Sequence, residues 1–144
     1  MKRVMILIAA AAVAVGCGPQ KTNAELITST AWHLDEIIYD GRDATETPPA
    51  NVTIIFSDST DRIAGRGGCN NFFGVYKLKE KENIEINMGG STMMACPDME
   101  FEGRYFKLLD QVESYSVSET ELKLFITAEG TTLMYKPEFK AYEE

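Results

Sequence analysis

The residues with the most reactive side chains are three cysteines, Cys17, Cys69 and Cys96, and a single histidine, His33. Their spacing assembles no reaction centre. No Cys-x-x-Cys marks a redox pair, and His33 sits beside Trp32 in an apparent strand with nothing to specify an orienting acid or an oxyanion site, so a Cys69–His33 nucleophile system lacks its third partner. The glycine-rich stretch 65–76, GRGGCNNFFGVY, has no Gly-Lys-Ser/Thr and does not open a helix, which argues against a phosphate loop. Zinc finds no adequate ligand set, and no spacing among the carboxylates selects a working pair. The expectation is therefore no catalytic residue, no metal and no cofactor. Met88, Met93, Met94 and Met99 could bind a soft metal or form a plastic contact surface, but core filling is the stronger expectation.

The same stretch reads better as architecture. Gly65, Gly67 and Gly68 permit positive φ or close chain approach, and Asn70 and Asn71 tolerate left-handed turns, so a shaped corner is expected there. At the other end of the chain, Lys2 and Arg3 precede an apolar run over 4–15, followed by Gly16-Cys17. That is the pattern of a secretory leader, and the run is shorter than the roughly 20 residues needed to span a bilayer. Ala14-Val15-Gly16-Cys17 resembles the bacterial lipobox, which makes residues 1–16 a lipoprotein signal peptide and Cys17 the acylated first residue of the mature chain. Several acyl chains anchor stably where one is marginal. Gly18 lacks the aspartate that retains some lipoproteins in the inner membrane, so the expected location is the bacterial cell envelope, with the outer membrane preferred.

With Cys17 acylated, Cys69 and Cys96 form an even pair in a compartment that can be oxidising. A disulfide is expected. The alternative is two buried, reduced cysteines packed as small hydrophobes. Lys and Arg number 14 against 22 Asp and Glu, for a net charge of −8. So acidic a chain is repelled by phosphates and has no basic stripe, which excludes nucleic acid as a partner.

The elements that must hold these residues are mostly strands. Residues 17–27 read as a lipidated flexible tether, with the folded domain over 28–137 and an acidic tail over 138–144. Short segments at 32–39, 52–56, 62–66, 72–78 and 84–88 are separated by turn formers such as Asp40-Gly41 and Pro48-Pro49. Ile84, Ile86 and Met88 alternate with polar residues, as do Leu122, Leu124 and Ile126, so each strand has one buried face. One helix follows Cys96, with Pro97 at its start, Asp98, Glu100 and Glu102 in its first turns, and Phe101, Tyr105, Leu108 and Val112 on one face. Three strands follow, at 112–117, 122–127 and 131–135. The expected fold is mainly β: a small antiparallel β-barrel of about eight strands, with one α-helix between the fifth and sixth.

The order Trp32-x-Leu34, Gly65-x-x-Gly68-Cys69-Asn70-x-x-x-Gly74-x-Tyr76 and Thr92-x-Met94-Ala95-Cys96, then a helix and three strands, resembles the META domain, the family of the HslJ heat-shock proteins. The likeness covers about 27–137. Many relatives carry Lys or Arg where Met93 stands. The resemblance implies a lipocalin-like barrel topology, frequent lipoprotein anchoring in bacterial envelopes and an association with stress tolerance, and it implies no established enzymatic reaction. The function expected is a non-enzymatic, lipid-anchored accessory protein acting through an envelope protein or envelope contacts. A small-molecule barrel, with Phe72, Phe73 and Tyr76 lining a cavity for an apolar ligand, is the alternative, and a cysteine-dependent redox enzyme ranks below both.

Overall fold

The computed structural model describes residues 19–97 and 99–138. The leader over 1–16, the lipidation expected at Cys17, Asp98 and the tail over 139–144 lie outside the described residues. Among the described residues nine strands form one antiparallel sheet: β1 (Ala31–Tyr39), β2 (Ala44–Glu46), β3 (Val52–Phe56), β4 (Arg62–Gly67), β5 (Asn71–Leu78), β6 (Ile84–Ser91), β7 (Ser114–Val117), β8 (Leu122–Ile126) and β9 (Thr131–Pro137). Their spatial order is β6-β5-β4-β3-β1-β9-β8-β7, with β2 added on β1. The sheet curls until its ends meet at one bridge, Asn83 to Ser114, where the Ile84 N–H donates to Glu113 O at 3.0 Å and the Tyr115 N–H to Glu82 O at 2.9 Å.

Helix α2 (Met99–Leu109) connects β6 to β7 and packs on β6 and β4. Asp110, just past it, accepts the Met88 N–H of the β6 edge at 2.7 Å. The expected period of two is present: β3 buries Val52, Ile54 and Phe56, and β8 buries Leu122, Leu124 and Ile126. Trp32, Phe56, Tyr105 and Tyr135 are the bulkiest of the fully buried side chains and occupy the interior. Phe72 and Tyr76 belong to this core, whereas Phe73 faces outward.

Four details differ from the sequence expectation. The ninth strand is β2, three residues with no alternation; it forms because β3 covers only Ala31–His33 of β1, leaving Ile37–Tyr39 to pair with Ala44–Glu46. The helix therefore follows the sixth strand. The tether expected through residue 27 is also corrected, because Asn23–Thr28 forms helix α1. Its start is a capping box, in which Thr22 Oγ1 accepts the Glu25 N–H at 3.2 Å and Glu25 Oε2 accepts the Thr22 N–H at 2.7 Å. Ile27 is fully buried, and Trp32 Nε1 donates to its carbonyl at 3.0 Å, docking α1 onto β1. Six residues carry too little periodicity to reveal an amphipathic face. Third, helix α2 stops at Leu109, and Val112 is buried from the turn beyond it. Last, core filling does not hold for the methionines: Met93, Met94 and Met99 are exposed, and only Met88 packs against the core.

Gly103 lies in the middle of α2 with open space where a Cβ would stand. Gly103→Ala is expected to raise stability by about 1 kcal/mol, because alanine loses less backbone entropy in a helix. Urea unfolding measures it, and a destabilised variant would refute the reading.

Candidate functional site

The corner joining β4 to β5 is where the sequence signals converge. Gly68 has φ of 112°, which only glycine adopts without strain. Neither Asn70 nor Asn71 is left-handed, so the expectation for the asparagines is corrected: Asn70 serves by hydrogen bonding. Its Oδ1 accepts the Met94 N–H at 2.7 Å and the Thr92 hydroxyl at 2.9 Å, and its Nδ2 donates to the Met94 carbonyl at 3.1 Å. Thr92 in turn exchanges hydrogen bonds with the Asn71 backbone, accepting its N–H at 3.1 Å on Oγ1 and donating its own N–H to Asn71 O at 2.9 Å. The corner and segment 92–96 are thus laced together. Cys69 and Cys96 complete the join as a disulfide with Cα atoms 6.1 Å apart.

Sequence reasoning placed Glu102 among the dipole-facing acids at the start of the helix. In the fold it is buried, at 4% exposure, and it anchors the corner to α2. Glu102 Oε2 accepts the N–H groups of Cys69 at 3.0 Å and Asn70 at 2.6 Å, and Oε1 accepts Asn70 Nδ2 at 2.6 Å. A readable signal existed, because Glu102 stands three residues before Tyr105 and seven before Leu109, on the apolar face of the helix. A lone carboxylate on such a face needs donors brought to it from elsewhere.

Chemically the arrangement is closed. Three N–H groups occupy the carboxylate, both sulfurs are bonded to each other, and among the described residues no buried side-chain nitrogen or oxygen lacks a partner. Exchange of the disulfide is the one reaction these groups offer. His33 stands apart on β1, paired across the sheet with Thr53 and Lys136.

The remaining motif residues do not gather here. Trp32 secures α1, and Gly65 and Gly74 lie where a methyl would strike the carbonyls of Thr53 and Asn87. Tyr76 sits toward the opposite end of β5, its hydroxyl donating to Ser57 O at 2.9 Å; burial, then the negative charges of Asp61 and Asp58, push its phenol above the ordinary value. In the core, Tyr105 and Tyr135 join hydroxyls at 2.9 Å, and burial raises both phenols. No group of three or more His, Cys, Asp or Glu among the described residues is placed to hold a metal ion.

The META domain family matches residues 25–139, a range that spans β1 to β9, helix α2 and the corner laced to segment 92–96. The chain belongs to the META domain family. Its fold is similar to that of a protein from Burkholderia xenovorans solved by NMR, at 24% identity and a TM-score of 0.68, covering 92% of this chain and 100% of that one. It is also similar to the crystal structure of a DUF4847 family protein from Bacteroides vulgatus ATCC 8482, at 14% identity and a TM-score of 0.59, covering 78% of this chain and 94% of that one. No curated protein matches it. In this META domain the Gly68-Cys69-Asn70 and Thr92-x-Met94-Ala95-Cys96 segments are the two sides of one fastened corner, which makes them a device of the fold.

The surface carries several clefts. One of about 400 Å³ lies among Glu25, Asp58, Asp61 and Tyr76, and another of about 400 Å³ opens on the outside of the sheet beside Arg62, Phe73, Val75 and Asn87.

Proposed function

We propose that this META domain is a non-enzymatic accessory module of the bacterial envelope, held to a membrane by acyl chains on Cys17 and acting through protein contact at its surface, in an outer membrane and in a stress-tolerance setting. The observation that carries the reading is the closed corner: the residues singled out by sequence are spent on one another, with the sulfurs paired and the Glu102 carboxylate occupied by three N–H groups. Aromatic side chains in the barrel interior disfavour the alternative of a ligand held inside it. The leader supports the location by its charge, its length and its lipobox-like end.

Mass spectrometry of the mature protein tests the anchor. The expected N-terminus is an acylated Cys17 in the membrane fraction, with Cys17→Ser leaving the chain unacylated. An uncleaved, unmodified leader on the wild-type protein overturns the location. Cross-linking in intact envelope, followed by purification, tests the contact role, and the expected product is a defined protein adduct.

A further inference from the structure

We infer that the outer face of β3, β4 and β5 is a docking site for an extended acidic polypeptide carrying apolar side chains, an inference that rests on the surface-contact reading above and names its partner's chemistry. Strand register places Ala31, Ile55, Ala64, Phe73 and Gly90 in one row across five strands. Ile55 is 47% exposed and Phe73 60%, with Val75, 49% exposed, beside Phe73 on the same face. Such a row is about 19 Å long at the usual strand spacing, the length of about six extended residues. Exposed apolar side chains on three adjacent strands, Ile55, Ala64 and Phe73, mark a contact surface on a folded domain.

Phe73 is set for this use. A Cβ built on Gly89 would meet its ring at 3.0 Å and one on Gly90 at 3.2 Å, so the ring lies across both glycines and turns its free side to solvent. The cleft beside it takes Arg62 and Asn87 as its polar groups and Phe73 and Val75 as apolar walls, enough room for an inserted side chain.

Charge selects the occupant. Arg62 and Arg66 are exposed on the same face, two residues to either side of Ala64, about 13 Å apart along the strand. Neither makes an ion pair among the described residues, although the chain carries a net charge of −8. Across the sheet Arg62 is aligned with Val75 and Asn87, and Arg66 with Thr53 and Asn71, so neither row contains a carboxylate. Two unpaired guanidiniums flanking an apolar row complement carboxylates alternating with apolar groups. An anionic bilayer fits less well, because Asp58, Asp61, Glu80 and Glu82 are exposed on the turns that end these strands and would meet the same plane. A narrow peptide avoids them.

Anisotropy of a labelled hexapeptide alternating phenylalanine and glutamate, titrated with the full chain in neutral detergent, tests the site. The expected result is saturable binding, weakened at least 10-fold in Arg62→Glu, Arg66→Glu and Phe73→Ser and unchanged in Lys123→Glu on β8, with no binding of a phenylalanine–lysine hexapeptide. All four positions are at the surface, and thermal melts confirm that the variants are folded. Absence of saturable binding, or equal binding by the wild type and the β4 and β5 variants, overturns the inference. So does Arg62-dependent uptake by phosphatidylglycerol vesicles with the peptide left unbound. The surface-contact reading fails separately, when the wild-type protein gives no envelope adduct on cross-linking.

Discussion

Glu102→Ala is expected to lower the stability of the domain by about 4 kcal/mol, the largest single effect among the changes considered, with a fall in Tm of about 15 °C. The truncation leaves two backbone N–H groups and the Asn70 amide without their acceptor in a corner where Cys69 and Asn70 are buried. Hydrogen bonds to a charged group contribute about 1.5–3 kcal/mol each, and stranded buried donors add their own desolvation cost. Glu102→Gln should fall between, at about 2 kcal/mol. Its carbonyl can serve the two backbone donors, but its NH2 then faces Asn70 Nδ2. Asn70 cannot turn over to help, because its Oδ1 is committed to the Met94 N–H and the Thr92 hydroxyl. Urea unfolding of the oxidised protein measures the series. A loss below about 1 kcal/mol for Glu102→Ala would show that water replaces the carboxylate and that the corner does not depend on it.

Loss of the disulfide comes second. Paired Cys69→Ser and Cys96→Ser substitutions are expected to cost about 3.5 kcal/mol in the chain-entropy account for a loop of 27 residues, a large share of the 5–15 kcal/mol typical of a whole domain. Reductant should lower the Tm of the wild type by the same amount and leave the serine variant unmoved; a wild-type melt indifferent to reductant is the outcome that refutes this. The two perturbations should also fail to add. Glu102 binds the N–H of Cys69 itself, so once one fastening is gone the other holds a corner already loosened, and the combined loss should fall short of the sum by more than about 0.5 kcal/mol.

Much of the fold was legible because burial alternates along a strand. Leu122, Leu124 and Ile126 announce β8 by themselves, and the Glu129-Gly130 turn is confirmed by a left-handed Gly130 with φ of 57°. The glycine corner and the pairing of Cys69 with Cys96 were legible for a related reason, since few backbones need glycines so close together and each cysteine stands beside an element boundary where two segments can meet. Helix α1 was half legible: Thr22 and Glu25 spell a capping box, but a single buried side chain, Ile27, gives no period to confirm it.

From the sequence alone came the mainly β class, the position of α2 and the acidic balance of the chain, because these depend on neighbours a few residues apart. Only the tertiary structure decided that Glu102 receives the N–H groups of residues 32 and 33 positions earlier, and that Met93 and Met94 face solvent while Met88 faces the core. It alone aligned Ile55, Ala64 and Phe73 between two arginines that have no ion-pair partner among the described residues. The reason is geometric: a local pattern says which side of an element is apolar, and the partner that side meets depends on how the sheet closes and where α2 then lies.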